Sequence, residues 1–216
     1  ALRASQVEST AHLLPDAVPF VVANLWRDLG LPVLVVVPQP DDARRLHEHL
    51  MSWSGDDESI LHFPETETLA YERLVSDVDT VQQRLRTLAR LTEEHGSPPL
   101  VVASTTALVQ KTIARDDFDS ISHVLRRGQQ IDLDELLNLW RRMGYEVEPT
   151  VYAPGSVSRR GGILDIYPIN SPLPVRIELW GNEIDSIRMF DPLTQRSTNV
   201  VESIGVIPSH ETLPAI

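Results

Sequence analysis

The chain has 216 residues, a formal net charge of −12 and no cysteine. That length holds one large domain or two small ones, and the composition is that of an ordinary globular protein. The acidic balance disfavours a general nucleic-acid surface, which needs clustered positive charge, and the missing cysteines exclude disulfides and thiolate metal sites.

No apolar run approaches a membrane span and no signal-peptide pattern opens the chain; the absence of cysteine fits a reducing cytoplasm, the expected setting. The opening at Ala1, without methionine, points to a processed or cut-out segment. Eighteen of the 19 basic residues are arginine, Lys111 being the other, which leaves guanidinium forks available for carboxylate partners.

Residues 1–118 read as alternating helix and strand. A helix from Pro15 ends near Gly30, and Pro32 leads into Val33 to Val37, a buried parallel strand by its unbroken apolar run. Asp41 and Asp42 cap a helix with Ala43, Leu46 and Leu50 on one face. Ile60 to Phe63 is a second strand. A helix from Asp77 carries the stripe Val78, Val81, Leu85, Leu88 and Leu91. Leu100 to Ala103 is a third strand, and Ser104, Thr105 and Thr106 open a short helix. The alternation implies an α/β layer with a mostly parallel sheet.

Such a sheet invites a search for a phosphate loop. A Walker loop needs glycines that expose backbone N–H groups and a lysine for the phosphates. The pair Lys111-Thr112 follows Val109-Gln110 with no glycine before it. Asp56-Asp57-Glu58 and Asp134-Glu135 imitate an acidic magnesium motif, but read as a solvated loop and a helix start. His47 and His49 are two apart on a helix and point to different sides, so they do not form a metal pair. His62 lies in a strand without an acidic or cysteine partner in view. Glu65 and Glu67 read as a surface loop, and Gly155-Ser156 lacks a glycine-flanked elbow.

A boundary falls near Asp116 to Ser120. Residues 119–216 then read as α+β, a helix followed by successive strands in an antiparallel sheet. Residues 121–127 form a strand. Asp132 and Glu135 are an N-terminal capping pair for a helix with Leu133, Leu136, Leu137, Trp140 and Met143 on one stripe, stopped by Gly144. Tyr145 to Tyr152 is a further strand, and Val200 to Ile207 the last.

Between these lies the most informative stretch, Ser156 to Asp191. Three short strands fall around Ile163–Tyr167, Val175–Trp180 and Ile184–Phe190, with Pro172, Pro174, Gly181 and Asn182 at the turns. Trp180 shares a strand face with Arg176 and Glu178, the polar side of a half-buried sheet. A large aromatic beside an arginine on such a face is hot-spot chemistry. Arg160, just before the adjoining strand, completes a set able to grip a carboxylate-bearing surface. The same pattern also fits a tryptophan packed on a helix, with arginines in ordinary surface ion pairs.

Residues Arg160, Gly161, Asp165, Tyr167, Pro168, Arg176, Glu183, Asp185, Phe190 and Asp191 carry a family pattern. The stretch resembles the inserted domain of the excision-repair protein UvrB, and more closely that of bacterial transcription-repair coupling factors, the Mfd family. The upstream ETLAYERL loop and its long helix, the VVASTTALVQKT strand and helix, and Pro208-Ser209-His210-Glu211 resemble the same family.

The resemblance implies a UvrB-like domain 1a over residues 1–118, degenerate P-loop NTPase-like and without a Walker loop, and a UvrA-binding domain 2 over residues 119–216. It implies a non-catalytic module that recruits UvrA through Arg160, Arg176 and Trp180, where the family often has phenylalanine at the last position. ATP and magnesium are expected only in motor domains beyond Ile216, as are RNA polymerase and DNA as partners of the longer protein. The alternative is a fragment of a UvrB-like damage-recognition ATPase, and a direct DNA-binding module is disfavoured by the charge.

Overall fold

A computed structural model describes residues 10–54, 58–66, 78–92 and 96–211. The first layer is a parallel sheet in the order β1 (Val33–Val37), β3 (Leu100–Ser104), β2 (Ile60–Phe63). After a 3-10 turn at Pro15–Ala17, α1 (Val18–Leu29) ends where Gly30 takes the left-handed conformation. It packs with α2 (Pro40–Ser54) on one sheet face, around Ala23, Trp26, Ala43, Leu46, Leu50, Ile60, Leu100 and Val102. On the other face α3 (Val78–Thr92) brings Leu88 against Phe63, Val101 and Ala103. The Ser104 hydroxyl accepts from the Ala107 N–H and caps α4 (Thr105–Val109), and α5 (Arg115–Ile121) follows.

Two expectations change here. β1 is an edge strand covered on one side: Leu34 and Val36 are exposed while Val33, Val35 and Val37 pack inward. An apolar run alone does not separate a central strand from an edge. The stripe on α3 also differs. Val81, Leu85 and Leu88 pack inward as expected, but Val78 and Leu91 are exposed, and Gln82, Arg84 and Thr87 are buried beside Leu85. Asp77, the expected start of α3, lies outside the described residues.

The second layer is a six-stranded sheet. Its order is β10 (Ser197–Val200), β9 (Glu183–Phe190), β8 (Val175–Trp180), β7 (Ile163–Ile166), β6 (Ser156–Arg160), β5 (Glu146–Val147). Neighbours are antiparallel except β5 and β6. One face packs on α6 (Leu133–Arg142), whose Leu136, Leu137 and Trp140 meet Val157, Leu164, Ile166, Val175, Ile177 and Ile187. Asp132 accepts from the N–H groups of Asp134 and Glu135 at 2.9 and 3.0 Å, the expected cap. Asp132→Ala is expected to lower stability by about 1 kcal/mol in urea denaturation. An unchanged midpoint would show that the cap contributes nothing.

The chain enters this part through β4 (His123–Arg126), which pairs antiparallel with β11 (Ser203–Val206) in a separate two-stranded sheet. The single last strand expected over Val200 to Ile207 is therefore two pieces in two sheets, since local pattern does not fix which strand a segment pairs with. Of Tyr145 to Tyr152 only Glu146–Val147 is strand, and Ile121 closes α5 instead of opening β4.

A seam joins the two layers. Leu85 of α3, Phe118 of α5, Ile169 and Ile207 form one buried cluster. Beside it Arg84 has 0% side-chain exposure and pairs with Glu211 through both Nε and Nη2. Arg84 Nη1 donates to Pro64 O at 2.7 Å, and its guanidinium lies 4.1 Å from the Phe63 ring centre. Arg86 Nε donates to Ile169 O at 2.9 Å. Gly144, at φ 91°, closes α6, and a Cβ there would meet His210 and Ser209. It lets the 209–211 segment run tight against the helix end.

Candidate functional site

The strand β8 alternates cleanly. Val175 and Ile177 point to the core with Leu179, while Arg176, Glu178 and Trp180 point to the outer face. Opposite the end of β8, β9 holds one extra residue, Asp185, and the pairing shifts between Glu178–Ser186 and Leu179–Ile184. This bulge keeps both Ile184 and Ile187 in the core while β8 keeps its phase. Trp180 ends up at the tip of the β8–β9 hairpin, with 84% of its surface exposed. Among the described residues no helix packs on it, so the reading of a tryptophan buried within the domain is set aside.

The outer face is a lattice of cross-strand rows. Arg160, Ile163, Glu178 and Ser186 form one row; Ser158, Asp165, Arg176 and Arg188 form the next. Arg160 lies two strands from β8, so its Cα is about 12 Å from that of Trp180 by strand spacing and rise. The structure therefore brings the three sequence-predicted residues onto one face at one end of the sheet.

It does not leave both arginines free. Arg176 donates from Nε and Nη2 to the two carboxylate oxygens of Asp165, its cross-strand neighbour, at 2.7 and 2.9 Å. Arg160 Nη2 donates to the same carboxylate at 2.6 Å. The fork expected for a partner's carboxylate is thus already engaged by this chain. Arg176 keeps only 17% of its side chain exposed, Arg160 52%. The Asp165 hydrogen bond raises the Arg176 pKa above its ordinary value, so this guanidinium stays charged at any working pH. Its Cζ sits 4.8 Å from the Phe190 ring centre. Glu178 accepts from Ser186 Oγ at 2.7 Å and faces Arg188 at 3.6 Å, so the row nearest the tip carries an acid as well.

Sequence reasoning named Asp165 as part of a motif and missed its role. The signal was present: an aspartate inside the apolar run Ile163-Leu164-Asp165-Ile166 must be buried with a cation or not buried at all.

The other candidates separate. His47 Nε2 lies 3.3 Å from Ile60 O and its ring stacks on His62 at 5.6 Å. Burial, then the nearby His47, pushes the His62 pKa down. Glu65 accepts from Ser104 Oγ at 3.2 Å, and Asp134 receives Arg159 Nη1 at 2.6 Å. Lys111 lies on the surface beyond α4. Asp56, Asp57 and Glu67 lie outside the described residues. Among the described residues no group of three His, Asp or Glu side chains is placed to hold a metal, and no helix is long and apolar enough to cross a membrane.

The sheet thus presents an aromatic tip beside an ion-paired arginine set, and residues 124–211 match the family described as the UvrB interaction domain. Nearly the whole chain is similar in sequence to transcription-repair-coupling factors. That of Bacillus subtilis (strain 168) is 35% identical over 94% of this chain and 17% of its own length. That of Escherichia coli (strain K12) is 28% identical over 97% of this chain and 18% of its own. That of Myxococcus xanthus is 32% identical over 98% of this chain and 18% of its own. The chain thus spans less than a fifth of the curated relatives it matches.

Proposed function

We propose that the chain is a non-catalytic protein-interaction module of a transcription-repair coupling factor, and that its six-stranded sheet recruits UvrA in transcription-coupled nucleotide-excision repair. The observation that carries this reading is the bare Trp180 tip beside Arg160 and Arg176, inside the segment that matches the UvrB interaction domain. An exposed tryptophan of this kind is a large apolar area left uncovered by the described residues, and arginine beside it supplies charge-assisted donors. Arg176, largely sunk in the sheet, contributes through Nη1.

Residues 1–118 as a UvrB-like domain 1a and 119–216 as domain 2 go with this reading. The parallel layer is then a degenerate P-loop NTPase layer that takes no ATP or magnesium of its own. Hydrolysis, RNA polymerase contact and DNA contact belong to the rest of the longer cytoplasmic protein. The seam at Arg84 and Glu211 holds the docking sheet on that layer.

Trp180→Ala and Arg160→Ala are each expected to weaken UvrA binding by at least ~2 kcal/mol, roughly 30-fold. Both side chains are on the surface, so circular dichroism should show an unchanged fold. Titration calorimetry against UvrA decides the matter: wild-type affinity in the folded variants would exclude this face as the site.

A further inference from the structure

Asp165 sits in the middle of β7 with 1% of its side chain exposed, and is the only carboxylate fully buried among the described residues. It binds two arginines from the strands on either side, Arg160 from β6 and Arg176 from β8. Arg176 occupies both oxygens, and Arg160 shares Oδ2. The Phe190 ring closes on the Arg176 guanidinium from the next strand. Arg160 Nε and Nη1 make no hydrogen bond among the described residues, and Arg176 Nη1 makes only a long one, 3.5 Å to Gln195 O. The carboxylate therefore turns two long, rotamer-rich side chains into one fixed set of outward donors.

We propose that Asp165 is a positioning residue for this face: it pre-orders Arg160 and Arg176 for an acidic protein surface that it never touches. The proposal rests on the reading of the face as the UvrA-binding site. Its physical content is entropic, because arginines already held in place lose less freedom on binding. It also has a sign that simple charge counting does not. Asp165→Asn makes the patch more positive, so charge alone predicts faster association and tighter binding to an acidic partner. Positioning predicts weaker binding through faster dissociation.

The test is UvrA binding kinetics on the intact 216-residue chain. Asp165→Asn is expected to raise koff about tenfold with kon unchanged or slightly higher. In an Arg160→Ala/Arg176→Ala background the same change should have no further effect, which a purely structural role would not reproduce. Tighter or unchanged binding of Asp165→Asn overturns the proposal, as does an effect that persists without the arginines. Should Asp165→Asn fail to fold, Arg176→Lys serves instead. It keeps the charge and Asp165 but loses the fork, and about tenfold weaker binding is expected; wild-type affinity overturns the proposal. If Trp180→Ala weakens binding and the Asp165 effect is missing, only the positioning role fails. If the wild-type chain does not bind UvrA, the reading of the face fails and the proposal with it.

Discussion

Arg84→Ala is expected to destabilise the protein by about 3–5 kcal/mol, the cost of leaving a buried charge without its partner. The guanidinium is wholly enclosed, and Glu211, its partner from 127 residues along the chain, is nearly so. Removing Arg84 leaves Glu211 with no cation among the described residues, strips Pro64 O of a donor, and opens a cavity over the Phe63 ring. None of these losses is recovered by water without loosening the seam between α3 and the 207–211 segment. Urea denaturation followed by far-ultraviolet circular dichroism measures the change; a loss below about 1 kcal/mol would mean that the pair is dispensable. Arg84→Met with Glu211→Leu should recover much of the loss, because an apolar pair of similar volume needs no desolvation. Both variants lie away from the outer face, so UvrA affinity per folded molecule should stay at the wild-type value.

The second large effect is expected at Trp140. Trp140→Ala should cost about 3–5 kcal/mol, as for large-to-small changes in a packed core. The indole is fully buried in the cluster between α6 and the six-stranded sheet. Its Nε1 donates to His123 Nε2 at 3.1 Å, while His123 Nδ1 lies 3.1 Å from Ile121 O. Those two contacts fix the tautomer: Nδ1 carries the proton and Nε2 accepts. The ring also faces His123 and Tyr145 at 6.5 and 6.4 Å. Trp140→Phe should cost less, keeping most of the area but leaving His123 Nε2 unsatisfied. Thermal unfolding ranks the two, and equal melting temperatures for wild type and Trp140→Ala would refute the assignment of α6 as the backing of the sheet. Because α6 supports the inner face of the strands that carry Arg160 and Arg176, the alanine variant should also weaken UvrA binding indirectly.

Helices and hairpins of this fold were legible wherever one segment carries its own signal. Asp132 marks a helix start through its bonds to the next residues, Gly30 a helix end through its left-handed backbone, and Gly181 with Asn182 a hairpin. The outward face of Arg176 and Trp180 followed from strict alternation. What stayed hidden depends on distant residues. Arg84 looks like a surface position on α3, because only Glu211 makes it a core one. β10 and β11 look like one strand, because only pairing with β9 and β4 separates them. β1 looks buried on both faces, because an apolar run does not say whether its second face has a neighbour. The engagement of Arg176 by Asp165 needed the register of β7 on β8, which a single strand pattern does not contain.

The pairing of β4 with β11 has a mechanical consequence. His123 stands opposite Val206, so the chain enters and leaves the part that holds the six-stranded sheet at adjacent points, about 5 Å apart at Cα. Tension carried along the polypeptide from one side to the other is passed across that short two-stranded clasp and the Arg84–Glu211 pair. It does not run through the long loop of chain that bears Trp180. The six-stranded sheet hangs outside the load path, so its geometry can stay fixed while the segments around it are pulled.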